Sequence, residues 1–131
     1  MANPNIVNVT AILGTTTYLT PGGTSALVLL PNAAASNLVF KINQIVVSNT
    51  TASAANATVS IYTNGAVAQG SAPSSGTAYP IVSTVSVPAN ASLIAMDKTT
   101  SVYLMEGTSI TVTSGTTSAL TFSISYESIA S

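Results

Sequence analysis

Turn-forming residues interrupt this chain about every eight to twelve positions, and between them apolar residues alternate with Ser, Thr and Asn at a period of two. That rhythm restricts the chain to short strands joined by turns, and no segment combines helical spacing with helix caps. Ile6 to Leu13 alternates, with Val7, Val9, Ala11 and Leu13 on one face, and Gly14 ends it. Thr15 to Thr20 follows, then the turn Pro21-Gly22-Gly23 and a short apolar strand from Ala26 to Leu30, stopped by Pro31-Asn32. The segment Leu38 to Ser48 is the expected centre of the fold. Leu38, Phe40 and Ile42 share one face while Ile45 and Val47 fall on the opposite parity, so a β-bulge is expected near Asn43-Gln44.

Beyond it, Ala57 to Thr63 reads as a strand with Val59 and Ile61 inward, and Tyr62 on the other face. Residues 64–77 carry Gly65, Gly70, Pro73 and Gly76 and read as a long exposed loop. Ala78 to Val87, Ser92 to Met96, Val102 to Leu104, Ile110 to Thr113 and Leu120 to Tyr126 complete the set, with turns at Pro88-Ala89-Asn90, Glu106-Gly107 and Ser114-Gly115-Thr116. Eight to ten short strands at these intervals predict an all-β, antiparallel β-sandwich of jelly-roll or immunoglobulin-like topology. The 131 residues read as a single domain, with residues 1–14 available as an extended N-terminal strand or arm.

Charge narrows the function. Lys41, Asp97, Lys98, Glu106 and Glu127 are the only charged side chains, 4% of the chain against about 25% in an average soluble domain. A surface of Ser, Thr, Asn, Ala and Gly is hydrated but does not repel copies of itself, because low net charge favours association. This composition suits a subunit whose outside becomes another subunit's inside. With no basic patch, the electrostatic grip that dominates nucleic-acid binding is missing. The longest apolar run, Ser25 to Leu30, is too short to span a bilayer, and the opening Met-Ala-Asn-Pro-Asn does not read as a signal peptide.

Catalytic and ligand-binding chemistry finds little to work with. No His is present for general base duty, and no Cys for a thiolate or a disulfide. Lys98 lies near Thr99, Thr100 and Ser101, but a Ser-Lys catalyst needs a desolvated amine and Asp97 adjoins it, so an exposed turn is the expected reading. Glu106 beside Gly107 reads as a solvated hairpin carboxylate, since three carboxylates spread over thirty residues do not make a cation cage. Asn8-Val9-Thr10, Asn49-Thr50-Thr51, Asn56-Ala57-Thr58 and Asn90-Ala91-Ser92 match the glycosylation acceptor pattern, and several such matches are expected by chance in this composition. The expectation is a non-enzymatic chain with no metal, cofactor or small-molecule substrate. Candidate contact residues are Ile6, Val7 and Val9 of the N-terminal segment, and Tyr18, Tyr62 and Tyr79, because amphipathic Tyr is common at interfaces. A Tyr lying over the sheet edge of its own subunit is the equal alternative.

The segments 41–49, 57–62, 78–89 and 93–98, followed by Val102-Tyr103-Leu104-Met105-Glu106-Gly107-Thr108-Ser109 and Phe122-Ser123-Ile124-Ser125-Tyr126-Glu127-Ser128-Ile129, resemble in their order a family of small virion structural proteins of tailed bacteriophages, particularly marine and cyanobacterial phages. The resemblance covers about residues 38–131, with weaker similarity at Ala2 to Thr10, and rests on strand-and-turn patterns rather than catalytic motifs. It implies a particle component assembled in the host cytoplasm, docked on other virion proteins (the major capsid protein first among them) and on copies of itself. This chain is poorer in charge than the family pattern, which leaves the docking partner open. A capsid decoration or cement protein is the leading expectation. A neck, collar or tail-fibre attachment protein, a secreted filament or surface-layer subunit, and a carbohydrate-binding module are the alternatives, the last weakened by scattered Tyr and no Trp.

Overall fold

The computed structural model describes residues 7–130. They form nine strands, β1 (Ala11–Leu19), β2 (Leu27–Asn32), β3 (Leu38–Asn49), β4 (Ala55–Tyr62), β5 (Ala78–Val87), β6 (Ser92–Met96), β7 (Val102–Leu104), β8 (Thr108–Ser114) and β9 (Leu120–Ala130), with a single 3-10 turn at Lys98–Thr100. One sheet has the order β1-β9-β3-β6, with β7 also paired to β3, and the other has the order β2-β8-β4-β5. Every pairing is antiparallel.

The pairs are nested. β4 pairs with β5 at the tip, β3 with β6 and β7, β2 with β8, and β1 with β9 at the base. A long hairpin of this kind, rolled so that alternate pairs fall in opposite sheets, is the jelly roll, and it decides between the two topologies expected from the sequence. In the immunoglobulin-like arrangement successive strands would pair more often within one sheet.

The core lies between the sheets. From β9, Leu120, Phe122 and Ile124 point inward; from β3, Phe40, Ile42, Ile45 and Val47; from β8, Ile110 and Val112; from β4, Ala57 and Val59. Phe40 and Tyr126 add a tilted ring contact with centroids 4.9 Å apart. The phase change in β3 is a bulge: the register against β9 shifts between Ile42 and Gln44, so Ile42 and Ile45 both reach the core.

Three local readings of the sequence are corrected. Of the expected Ile6 to Leu13 strand, Ile6 lies outside the described residues and Val7 to Thr10 are not strand; β1 starts at Ala11 and runs through Gly14, which pairs with Glu127, because β9 offers an unbroken partner along its length. β2 continues through Pro31 to Asn32, which an edge strand allows because its outer side needs no ladder donor. The segment 64–77 is not simply an exposed loop. Gly70 N–H donates to Val28 O at 2.8 Å and Val28 N–H to Ser71 O at 2.9 Å, so it lines the free side of β2. Ser109 Oγ donates to Asn64 O, and Gly76 N–H to Tyr62 Oη at 3.0 Å, which ties it to the outer face of the second sheet. Val28, Ser60, Tyr62, Ser109 and Thr111 all point to that face by register and are buried there.

Candidate interaction surface

The register places outward side chains of the β1-containing sheet in rows. Tyr18, Ser123, Val46 and Ile94 line up across β1, β9, β3 and β6. Thr16, Ser125 and Gln44 form the next row, and Thr16 Oγ1 lies 3.0 Å from Ser125 Oγ. Gly14, Glu127, Lys41 and Tyr103 follow; Ile12, Ile129 and Val39 make the last row, of which only Ile12 is exposed while Ile129 and Val39 are buried. Glu127 and Lys41 are opposite in register on neighbouring strands, and Asn43 at the bulge donates from Nδ2 to Glu127 Oε1 at 3.1 Å. Around this small polar centre Ile12, Tyr18, Ile94 and Tyr103 are exposed. The face combines these exposed apolar side chains with two of the chain's five charges, Lys41 and Glu127.

β1 meets the core toward its Leu19 end, where Leu19 packs against the buried cluster. Leu13 has the parity of the core-facing residues, opposite Ser128, yet is 67% exposed. Its neighbours Ile12 (58%) and Tyr18 (71%) are exposed on the other face of the same strand.

The residues expected to make contacts do not form one site. Ile6 lies outside the described residues. Val7 is exposed and Val9 half-buried, just ahead of β1, while Tyr18 lies toward its far end, roughly 23 Å from Ala11 at strand rise. Tyr79 is exposed on β5, the edge strand at the opposite side of the sandwich. Tyr62 is buried at 8% exposure, its hydroxyl holding Gly76, and so takes the internal role instead of a surface one. Ile12, Leu13, Ile94, Tyr103 and Met105 are exposed apolar residues that the sequence did not single out. Parity alone assigns Leu13 inward, yet it is exposed.

The residues weighed for chemistry have structural work. Asp97 caps the 3-10 turn, accepting from Thr99 N–H at 2.9 Å and from Thr99 Oγ1 at 2.6 Å, while its own N–H donates to Thr100 Oγ1. The Thr99 side-chain and backbone bonds hold its carboxyl below the usual carboxylate range. Glu106 is half-buried, not fully solvated, and accepts from Asn37 N–H at 3.3 Å. Asn49, in one glycosylation match, is buried, with Nδ2 donating to Ser53 O and Val87 O, so its amide is not available at the surface. Among the described residues no three His, Cys, Asp or Glu side chains gather as a metal site, and no helix is long and apolar enough to cross a membrane. Comparison with protein-family models, curated proteins and solved structures yields no match to this chain.

Proposed function

We propose that this chain is a non-enzymatic structural subunit of a tailed-phage virion, a decoration or cement protein that docks on the major capsid protein and on copies of itself. The observation that carries the reading is a surface with exposed Ile12, Leu13, Tyr18, Tyr79, Ile94, Tyr103 and Met105 on a chain with only five charges. Such a surface gains by being covered, and little electrostatic repulsion opposes its association. The jelly roll adds fold-level support, since viral capsid domains use the same architecture, although fold alone does not assign function. The strand-and-turn resemblance over residues 38–131 supplies the particle.

The test is the copy number of the chain in purified virions, by quantitative mass spectrometry against the major capsid protein. Hundreds of copies support decoration of the shell. A count in the range of small cyclic symmetry, roughly six to eighteen, moves the subunit to the neck or tail. Absence from virions overturns the reading.

A further inference from the structure

Of the strands that close the two sheets at their sides, all but one are blunted against pairing. β2 has Pro31, and the 70–71 segment takes up the amide and carbonyl of Val28. β5 has Pro80, Thr84 in the left-handed region (φ 52°), and two register shifts against β4. β6 has five residues and a register shift in its pairing with β3, and β7 has three residues. Prolines, bulges, short length and covering loops are the devices by which sheets avoid unwanted edge pairing. Among the described residues β1 has no proline, no bulge and no charge, and only its Thr17-Tyr18 end meets a covering loop. It is nine residues, Ala-Ile-Leu-Gly-Thr-Thr-Thr-Tyr-Leu, held in unbroken register by β9, and among the described residues no strand pairs with its other side. The long loop touches it near one end, where Gln69 Nε2 donates to Thr17 Oγ1 at 2.9 Å and to Tyr18 O at 3.4 Å.

We propose that β1 is a docking edge whose occupant is β1 of a second copy of this chain, joined antiparallel across a two-fold axis at Thr15. The inference rests on the reading of the chain as an assembling subunit and names its first partner. Full overlap of Ala11–Leu19 with itself sets Thr15 opposite Thr15 of the partner subunit. Gly14 then faces Thr16, Leu13 faces Thr17 and Ile12 faces Tyr18, each from the partner subunit. On the outer face this makes two Ile–Tyr cross-strand pairs, a favoured aromatic and β-branched combination, from side chains that are otherwise exposed. On the inner face it covers Leu13, which is exposed in the single copy.

Charge permits the pairing. The nearest ionised group in the adjacent strand, Glu127 on β9, is separated from its symmetry mate by three strand spacings, roughly 14 Å, beyond the screening length at physiological salt. The product is one continuous sheet through both copies, closed by symmetry so that the β1 edges disappear. The partner strand replaces the Gln69 contact to Tyr18.

The test uses the full chain. Because it contains no Cys, a single introduced thiol reports one position. Light scattering and sedimentation across micromolar concentrations are expected to show a dimer, and Thr15→Lys, which sets two ammonium groups face to face, to weaken it at least tenfold. A melting curve controls for folding of that variant. Independently, Thr15→Cys is expected to couple to itself under mild oxidation, since directly opposed strand residues lie within disulfide reach. Leu13→Cys and Thr17→Cys should couple only when mixed. A monomer at all concentrations overturns the proposal. So does a dimer in which Thr15→Cys couples no faster than Ala52→Cys in the exposed bend after β3, which would point to another surface. Either result leaves the virion reading to the copy-number measurement.

Discussion

Asn49 at the end of β3 donates from Nδ2 to the carbonyl of Val87 at the end of β5, at 3.0 Å, and so ties one sheet to the other with a buried hydrogen bond. The same amide donates to Ser53 O at 2.8 Å, and its Oδ1 accepts from Thr51 N–H and Thr51 Oγ1. Asn32 does similar work at the end of β2, donating to Leu38 O and Leu104 O and accepting from Ser36 Oγ. Asn49→Ala leaves the Val87 carbonyl without this donor in a buried place, so a loss of about 2–4 kcal/mol is expected, because an unmatched buried polar group costs about 1–3 kcal/mol and several bonds go together. Asn49→Asp, which cannot donate, should lose at least as much. Urea denaturation measures both. Wild-type stability in either variant would mean that the contact does not hold the sheets together.

Tyr62→Phe isolates the tether of the long loop. The hydroxyl accepts from Gly76 N–H, so removing it is expected to cost about 1 kcal/mol. It should also raise amide hydrogen exchange at Gly76 and its neighbours while leaving Val59 and Val112 in the core unchanged. Uniform exchange rates across the variant and the wild type would show that the loop is held elsewhere.

Gly65 is held by close approach. A Cβ there would lie 2.6 Å from Thr108 O and press still harder on Asn32 O, both backbone atoms of the second sheet. Gly65→Ala is therefore expected to displace the 64–77 segment or destabilise the chain by about 2 kcal/mol or more, as overpacking typically does. Gly14→Ala is the control, since nothing lies within 4 Å of its added methyl, and its melting temperature should stay close to the wild type. Equal melting of both variants would contradict the packing.

The sequence was most legible where local chemistry and tertiary context agree. The parity change between Ile42 and Ile45 located the β3 bulge because the core demands apolar residues from both halves of that strand. It was least legible where burial depends on what lies overhead. Tyr62 and Leu13 follow strand parity, but the loop over Tyr62 buries it, and among the described residues nothing buries Leu13. Gly14 reads as a terminator in isolation and becomes mid-strand because β9 pairs through it. The open edge of β1 is a property of sheet order, which no local pattern encodes.

Asp97 gives a pH dependence with a definite sign. Its folded carboxyl titrates below the usual carboxylate range because Thr99 donates to the ionised form. A depressed group adds stability above its unfolded value and loses it as pH falls through the folded value. The effect is confined to acid and vanishes as a variable near neutrality. Carbon-detected NMR titration should place Asp97 below an unfolded Asp, and Thr99→Ala should bring it back up. An unchanged midpoint in that variant would assign the shift to another cause.

Assembly should respond weakly to salt. The proposed β1 contact is made by backbone bonds and by Ile12, Leu13 and Tyr18, with no ionised group on the strand. Screening acts on exposed charges, so raising sodium chloride from about 50 mM to about 500 mM is expected to change the dimer Kd less than about twofold. Sulfate, which strengthens apolar burial through exclusion from protein surfaces, should tighten it. Sedimentation in the two salts separates the terms. A tenfold weakening in sodium chloride would mean that Lys41, Lys98 or the carboxylates carry the association, and would move the interface from the β1 edge to a charged part of the surface.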